Sequence, residues 1–358
     1  MTSTATHRGS GAVRRRTPLA GESLDGLSAV VTGGSRGLGL LIAGELAAQG
    51  CAVTVAARDP AELDRAAEQI RDRGPGTVRT QVCDVRERED VQRLLDSTAE
   101  ECGGVDVVVA NAGIIQVAPV EALGAEEFDD TMRTIFGGAL HTSLAALPHL
   151  RRSEAGGRLA LIGSIGGLLA VPHLLPYSCG KFAVAALAEG LHAEEAARGV
   201  SVTAVHPGLM RTGSHLHAEF GGDEGREFAW FSALAGTPLV SMDAQRAASR
   251  IVGAVRRRRP RVVLTPAGKA AGLLHGIAPA TTTRLSGLAA RALPDAPPAA
   301  GTAPGGVVEG HDAARRPSAH PAGLAGRVRA WGSALNDKAS ARLNQHGPRP
   351  ADGGAGEA

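Results

Sequence analysis

The sequence predicts an α/β fold in which helices cover both faces of a doubly wound parallel sheet of about seven strands. The first observation behind this prediction is the regular alternation of apolar β-runs with helical segments between residues 27 and 265. The second is the run at 105–113, which is apolar almost throughout, as in a strand covered on both faces. The right-handed rule for crossover connections then leaves few topologies.

Strands and helices are assigned in chain order from these runs. The first strand, at 27–33, leads through a glycine turn into a helix that ends at Gly50. A long helix at 125–152 precedes the fifth strand, at 158–163, and a helix that begins near Tyr177 follows it. The remaining strands are predicted at 51–57, 78–84, 105–113, 200–205 and 261–265, and the remaining helices at 60–73, 87–102 and 242–257.

Composition divides the chain into four parts. We expect a disordered polar lead at 1–23 and the main folded domain at 24–265. Residues 266–293 keep an apolar spacing compatible with one or two short helices, which predicts a helical extension. Residues 294–358 are rich in Pro, Ala and Gly, so they are predicted to be largely disordered, with a short amphipathic helix at 327–345.

Charge, cysteine usage and hydropathy restrict the function classes. The formal net charge of +2 is too small to predict a nucleic-acid partner. The 4 cysteines are scattered without CxxC spacing, which favours reduced thiols over a disulfide framework or a metal site. No apolar stretch reaches the ~18 residues of a membrane span, and the N-terminus lacks the apolar middle of a secretory signal. We therefore expect a cytoplasmic protein.

The glycine turn TGGSRGLG at 32–39 directly follows a strand and opens a helix. Gly33 allows the tight turn, while Gly37 and Gly39 let the backbone approach a pyrophosphate held at the helix N-terminus. The alternative is a tight strand–helix connection with spare glycines. On the first interpretation the cofactor-binding residues of the turn are Gly33, Ser35, Arg36, Gly37, Leu38 and Gly39.

The end of the second strand bears on which dinucleotide binds. Folds that prefer NAD place an acidic group there for the ribose 2′-hydroxyl, but this strand ends in Ala57 and Arg58. Arg58 and Arg36 together suit a 2′-phosphate, which guanidinium groups bind well. Asp59 follows one position later and is interpreted as the cap of the helix at 60–73. The sequence thus favours NADP(H) over NAD(H).

Three polar side chains are predicted to converge near the middle of the chain. Ser164 closes the fifth strand, and Tyr177, the only tyrosine of the chain, is followed by Lys181. With Pro176 in the first helical turn, Tyr177 and Lys181 lie one turn apart on one helix face. A phenol with a pKa near ~10 is a poor base at neutral pH, and a nearby ammonium together with the cationic nicotinamide favours its phenolate. The alternative is a surface tyrosine beside an unrelated strand-end hydroxyl.

Together these residues resemble the short-chain dehydrogenase/reductase family over about residues 24–265. The glycine turn fits the family's TGxxxGxG pattern, and Ser164 with Tyr177 and Lys181 matches its catalytic serine and YxxxK motif at the family spacing. Six motifs in order make the resemblance specific. The other matching residues are Cys83, Asp84 and Val85 of the adenine-contacting element, Asn111, Ala112 and Gly113 of the NAG motif, and Pro207, Gly208 and Thr212 of the PGxxxT element.

The resemblance implies a Rossmann-like domain with strand order 3-2-1-4-5-6-7 that interconverts a secondary alcohol and a ketone with NADP(H). Tyr177 would act as general acid or base, Ser164 would hold the substrate oxygen, and Lys181 would also hold the nicotinamide ribose. Asp84 would bond the adenine amino group and Asn111 would stiffen the sheet. The resemblance also implies that Thr212 contacts the carboxamide side of the nicotinamide.

One residue departs from the family pattern. The family carries an asparagine about thirteen residues before a Leu-Pro pair, where it kinks a helix and holds a water of a proton relay. Here that position is Ile135, and residues 132–150 contain no asparagine. The departure puts the relay in doubt and supports a rival hypothesis, a cofactor-binding or regulatory protein that has lost turnover. Thr134, or backbone freed near Gly137, is an alternative holder of the water.

The substrate side is predicted to lie between residues 208 and 239. Four aromatic residues fall there, and they either line an apolar substrate wall or pin the loop to the core. His215 and His217 are interpreted as surface histidines rather than metal ligands. The aromatic residues are Phe220, Phe228, Trp230 and Phe231.

The apolar residues of 266–293 and two long helices predict contacts with other surfaces. For 266–293 we favour a pocket cover or a subunit interface over contact with a membrane surface. The helices at 125–152 and 177–198 carry the small and apolar residues that the family uses to dimerise, so the resemblance implies a homodimer or homotetramer.

Overall fold

Seven short, mostly apolar segments form one parallel sheet in the computed structural model, which describes residues 23–237, 241–295, 306–315, 340 and 342–345. The sheet order is β3-β2-β1-β4-β5-β6-β7, which confirms the predicted fold class and strand order. The order reverses between β1 and β4, and such a switch point leaves a crevice at the carboxyl ends of the strands. The strands are β1 Ser28–Thr32, β2 Ala52–Ala57, β3 Val78–Val82, β4 Val107–Ala110, β5 Arg158–Ile162, β6 Ser201–His206 and β7 Arg261–Val263.

Helices cover both faces of this sheet, and each face has its own apolar core. Leu46, Ile70 and Ile251 belong to the core under α1, α2 and α8. Leu94 and Val184 belong to the core on the other face, under α3, α5 and α6. The helices are α1 Gly37–Ala48, α2 Pro60–Arg71, α3 Arg88–Cys102, α4 Ala125–Met132, α5 Gly138–Leu150, α6 Leu175–Glu195, α7 Glu224–Gly236, α8 Ala244–Arg256, α9 Pro266–Ile277 and α10 Pro279–Ala290.

The predicted long helix at 125–152 is present as α4 and α5, which a π-helical turn at Arg133–Gly137 joins. Such a turn inserts an extra residue and redirects the side chains that follow it. The two adjacent glycines, Gly137 and Gly138, weaken the regular helix at this point. Ile135 lies in the turn and is only 1% exposed, so its side chain points into the core.

Part of the C-terminal region is ordered, which differs from the prediction for 294–358. Val308–Glu309 pairs antiparallel with Glu219–Phe220, and the short helix Gly310–Ala313 follows it. Small residues permit this packing: a Cβ on Gly310 would lie 1.9 Å from the carbonyl oxygen of His215. Of the predicted helix at 327–345 only residues 340 and 342–345 are described, and the predicted lead at 1–23 lies outside the described residues except for Ser23.

The helical extension forms a hairpin of α9 and α10 beside the end of β5. Gly268 and Gly272 of α9 face Ile165 and Leu168 in the segment that follows β5. The hairpin exposes most of its large apolar side chains rather than covering the cleft with them. None of the helices in the described residues is long and apolar enough to span a membrane. The exposed residues are Leu273, Leu274, Ile277, Leu285 and Leu288.

Candidate active site

Ser164, Tyr177 and Lys181 converge where β5 ends and α6 begins. Ser164 starts the turn after β5, and its Oγ accepts a hydrogen bond from the backbone N–H of Gly166 at 3.0 Å. Tyr177 lies in the first turn of α6, and its hydroxyl is hydrogen-bonded to the Ser164 side chain. The Nζ of Lys181 lies 5.7 Å from the centre of the Tyr177 ring. The predicted convergence of a phenol, an ammonium and a hydroxyl is therefore present.

Lys181 is a buried amine, with only 5% of the residue exposed. Its Nζ donates a hydrogen bond to the backbone oxygen of Ile162 at 2.8 Å. Burial lowers the pKa of Lys181 to about 8, because the charged form loses its water. Ile135 packs against Gly180, the neighbour of Lys181 on α6, so an apolar side chain borders the amine where the family pattern has an asparagine.

Burial also shifts the pKa of Tyr177, which rises where that of Lys181 falls. It raises the pKa of the phenol, and the hydrogen bond with Ser164 opposes this only in part. In the protein chain alone, the expected favouring of phenolate by the ammonium is outweighed by desolvation. A lowered pKa for Tyr177 therefore needs a further positive charge beside it.

The glycine turn is held against β4 by a very close backbone approach. Gly33 has φ +62°, and a Cβ at this position would lie 2.7 Å from the Cα of Ala112. The side-chain amide of Asn111 donates to the backbone oxygens of Thr32 and Gly33, at 3.1 and 2.9 Å. These contacts fix the ends of β1 and β4 to each other.

A cleft of about 850 Å³ opens above this junction. Most of the predicted cofactor-binding residues line it, whereas Tyr177, Lys181, Pro207 and Gly208 are not among its lining residues. After β6 the carbonyl oxygen of Pro207 accepts from the N–H of Ile165, and Gly208 packs on Thr265. The predicted residues that line the cleft are Gly33, Ser35, Arg36, Gly37, Leu38, Gly39, Arg58, Asp84, Val85, Asn111, Ala112, Gly113 and Thr212.

Arg36 and Arg58, which both line the cleft, differ in whether they form an ion pair. Arg36 forms an ion pair with Glu62 at 2.9 Å, and the same carboxylate accepts from the hydroxyl of Ser35 at 2.8 Å. Arg58 is exposed and has no hydrogen bond or ion pair to any residue that the structure describes. Asp59 accepts from the N–H of Glu62 and caps α2, as interpreted from the sequence. Of these two guanidinium groups one is therefore paired and one is available, and a third, that of Arg86, also lines the cleft.

Asp84 is engaged by Arg86, a residue that the sequence analysis did not single out. The guanidinium of Arg86 donates to both carboxylate oxygens of Asp84, at 3.1 and 2.6 Å. Burial alone would raise the pKa of Asp84, but the hydrogen bonds from Arg86 outweigh it and hold the pKa below its usual value. Asp84 is consequently an ionised acceptor at the rim of the cleft.

Two interpretations of the segment at 208–239 are resolved by packing. His215 is only 1% exposed, so its assignment to the surface is wrong. Phe220 and Phe231 are buried in a small third core with Val117 and Leu174, which ties α7 to the loop before α6. The aromatic residues therefore pin this segment to the body of the domain.

A buried carboxylate, also missed by the sequence analysis, completes that attachment. Glu227 of α7 is 0% exposed, accepts from the indole N–H of Trp230 at 2.6 Å, and lies 2.8 Å from Nδ1 of His173. His173 precedes α6 by two residues, so this contact joins α7 to the start of α6. No sequence motif marks Glu227 and His173, because the two residues are 54 positions apart in sequence.

The sequence model of the short chain dehydrogenase family matches residues 28–219, which include β1 to β6, the glycine turn and all three converging side chains. The match covers more than half of the chain. The chain belongs to the short-chain dehydrogenase family.

Several curated oxidoreductases are similar to this dehydrogenase. An uncharacterized oxidoreductase of Staphylococcus saprophyticus is 34% identical over 184 residues, which are 51% of this chain and 78% of the relative. A tropinone reductase homolog of Arabidopsis thaliana is 33% identical over 191 residues, 53% of this chain and 72% of the relative.

Solved structures support the same relationship. A short-chain type dehydrogenase/reductase from Mycobacterium marinum has a TM-score of 0.60 at 27% identity and covers 68% of this chain and 95% of its own. A putative short-chain alcohol dehydrogenase from Sinorhizobium meliloti has a TM-score of 0.61 at 26% identity and covers 70% and 99%. The protein is thus an oxidoreductase of this family.

The cleft fits the nicotinamide cofactors that the family uses. The N–H groups of Leu38 and Gly39 open α1 and have no partner among the described residues, so they are available to a phosphate. The Gly33 approach leaves a concave backbone surface that a side chain would fill. Asp84 and Arg58 supply an acceptor and a cation at the far end of the cleft.

The buried amine predicts a specific pH dependence of stability. Between about pH 8 and its ordinary pKa of 10.5, Lys181 carries a proton in the unfolded chain but not in the folded one. Unfolding therefore takes up a proton in this window, and stability contributed by this group rises with pH. Relative to Lys181→Met, we expect the free energy of unfolding of the natural protein to rise by about 2 kcal/mol between about pH 7.5 and about pH 9.5.

Denaturant unfolding at matched pH values measures this difference. The variant serves as the control for every other titrating group, since only the amine is removed. Parallel stability–pH curves for the two proteins would show that Lys181 is not desolvated.

Proposed function

We propose that this dehydrogenase interconverts a secondary alcohol and a ketone, with NADP(H) as the hydride carrier and Tyr177 as the general acid or base. The observation that carries the proposal is the contact of the Tyr177 hydroxyl with Ser164 beside the buried amine of Lys181. Hydride transfer to a carbonyl creates an alkoxide, which needs a proton donor in hydrogen-bond reach. This arrangement offers that donor together with a second hydroxyl for the same oxygen.

In the reductive direction, the bound cofactor supplies a hydride to the carbonyl carbon. The Ser164 hydroxyl donates a hydrogen bond to the carbonyl oxygen and fixes its position. Tyr177 gives its proton to that oxygen as charge develops there, and in the oxidative direction it takes the proton back. The ammonium of Lys181 stabilises the phenolate that remains, because opposite charges interact more strongly in a buried site than in bulk water.

A second candidate function is a cofactor-binding or regulatory protein without turnover. The observation in its favour is Ile135, which places an apolar side chain beside α6 where the family pattern has a water-holding asparagine. Without that water, reprotonation of Lys181 and Tyr177 needs another route. Thr134 is the neighbouring hydroxyl and lines the cleft, so we propose it as the alternative holder of the water.

A carbonyl screen separates the two functions. We expect oxidation of NADPH, followed by its absorbance, with at least one ketone of mainly apolar character. Tyr177→Phe keeps the ring but removes the exchangeable proton, so turnover should fall by about 10²-fold or more while NADPH still binds. If the natural protein binds NADPH but reduces no carbonyl, the second candidate function is correct.

NADP(H) is proposed over NAD(H) because of Arg58. Arg36 is already paired with Glu62, so a 2′-phosphate would share it with a carboxylate. Arg58 lines the same cleft without a competing partner among the described residues. The interaction of a guanidinium with a phosphate is strong and geometrically selective, whereas its interaction with a 2′-hydroxyl is much weaker.

Arg58→Asp tests this preference. The change replaces attraction by repulsion, so the Kd of NADPH should rise by at least about tenfold, and the Kd of NADH should change little or fall. Isothermal titration with both cofactors measures the ratio, and Asp59→Asn is the matched control because Asp59 caps α2. Equal affinity of the natural protein for the two cofactors would contradict the proposal.

We further propose a homodimer or homotetramer built on α5 and α6. Family members often form oligomers, and these helices expose Leu144 and Phe182. The hairpin of α9 and α10 exposes a second apolar face, which includes Leu285. The chain therefore exposes two apolar faces, and each is a candidate for the subunit interface.

Light scattering of two charge variants locates the interface. Leu144→Glu should lower the measured mass to that of the 36.4 kDa monomer, because a buried charge at an interface is strongly unfavourable. Leu285→Glu should leave the mass unchanged. The reverse result would place the interface at the hairpin, and a monomeric natural protein would refute the oligomer.

A further inference from the structure

The C-terminal strap, defined here as residues 342–345, lies across the glycine turn although it is more than 300 positions away in sequence. The backbone oxygen of Leu343 accepts a hydrogen bond from the N–H of Gly37 at 3.0 Å. The Leu343 side chain is buried in the same core as Leu38. One end of the strap is therefore fixed to the N-terminus of α1.

Asn344 attaches the strap to α2. Its side-chain amide donates to the backbone oxygens of Ser35 and Glu62, at 2.8 and 3.1 Å, and its Oδ1 accepts from Nε of Arg65 at 2.9 Å. Asn344 has φ +56°, a conformation that asparagine tolerates better than most residues. Both donor positions of this amide are occupied and its oxygen also accepts a hydrogen bond, so the attachment is specific.

Gln345 reaches the opposite wall of the cleft. Its Nε2 donates to the backbone oxygen of Thr212 at 3.1 Å, and its backbone oxygen lies 2.9 Å from Nε2 of His217, which donates to it. Gly37, with φ +56°, leaves room for this side chain, since a Cβ there would lie 2.9 Å from Nε2 of Gln345. The strap thus joins the glycine turn to the loop after β6.

One polar atom of the strap is left without a partner. Gln345 is only 2% exposed, lines the cleft, and its Oε1 has no hydrogen-bond partner among the described residues. A buried carbonyl oxygen without a partner is unfavourable, because it has lost its hydrogen bonds to water. A ligand that donates a hydrogen bond at this point would remove that cost.

The strap forms a wall of the cleft and does not fill it. Leu343 takes the N–H of Gly37, but those of Leu38 and Gly39 have no partner among the described residues. The cleft beside the strap keeps about 850 Å³, a size that suits a small-molecule ligand. Both observations favour a strap that encloses a dinucleotide over one that excludes it.

We propose that the C-terminal strap is part of the cofactor site and that Gln345 is a binding residue, with Oε1 accepting a hydrogen bond from a hydroxyl or amide N–H of the dinucleotide. The inference rests on the proposed function only in that a nicotinamide dinucleotide occupies the cleft. It is independent of the substrate and of the choice between NADP(H) and NAD(H). Because the strap bridges both walls, it retains the bound cofactor and slows its dissociation.

Full-length point variants test the proposal through cofactor binding rather than turnover. Gln345→Leu removes the acceptor at similar volume, and Asn344→Gly removes the attachment to α2 while keeping the backbone conformation. Arg342→Ala is the matched control, because Arg342 belongs to the same strap but is exposed. NADPH fluorescence gives Kd at equilibrium and the dissociation rate by displacement, and thermal unfolding without cofactor verifies folding.

We expect Gln345→Leu to raise the Kd of NADPH about five- to tenfold and Asn344→Gly to accelerate its dissociation at least about fivefold, with Arg342→Ala unchanged. Unchanged binding in the first two variants overturns the role of the strap while the cofactor assignment stands. Tighter binding also overturns it and identifies the strap as an occluding segment. A natural protein that binds neither NADPH nor NADH overturns the cofactor assignment and the strap's role together.

Discussion

The carboxyl ends of β1 and β4 are tied together by the side-chain amide of Asn111, which donates to two consecutive backbone oxygens of the glycine turn. The rest of the cleft depends on this junction. It holds Gly33 against Ala112, and at the start of the following helix the N–H groups of Leu38 and Gly39 have no partner among the described residues. The strand order reverses at the same place, so the crevice of the fold and the anion-binding helix end coincide.

Burial shifts both ionisable groups at the start of α6 toward their neutral forms, since it lowers the pKa of Lys181 to about 8 and raises the pKa of Tyr177. At neutral pH Lys181 is therefore still mainly an ammonium, and it lies beside a neutral phenol. A further positive charge next to the phenol would favour its phenolate. The π-helical turn at Arg133–Gly137 contributes to this environment, because it directs Ile135 toward Gly180.

Hydrogen bonds between residues that are far apart in sequence join the walls of the cleft and attach α7 to the segment before α6. Glu227 joins α7 to the segment before the catalytic helix through His173. Asn344 and Gln345 join the C-terminus to both walls of the cofactor cleft. Each contact uses a buried polar side chain, and such groups specify geometry because a missed hydrogen bond inside the protein is costly.

The sequence by itself determined the alternation of strands and helices, the glycine turn and the convergence of Ser164, Tyr177 and Lys181, since each depends on short-range spacing, whereas the strand order came from the resemblance to the family. Apolar runs mark strands that are covered on both faces, and an interval of four residues places Tyr177 and Lys181 on one helix face. Only the tertiary structure decided which charges are paired, as in Arg36 with Glu62 and Asp84 with Arg86. It also decided the π-helical turn and the packing of residues 306–315 and 342–345 against the rest of the domain. The physical reason is that these features depend on partners far away in sequence, and local periodicity carries no information about such partners.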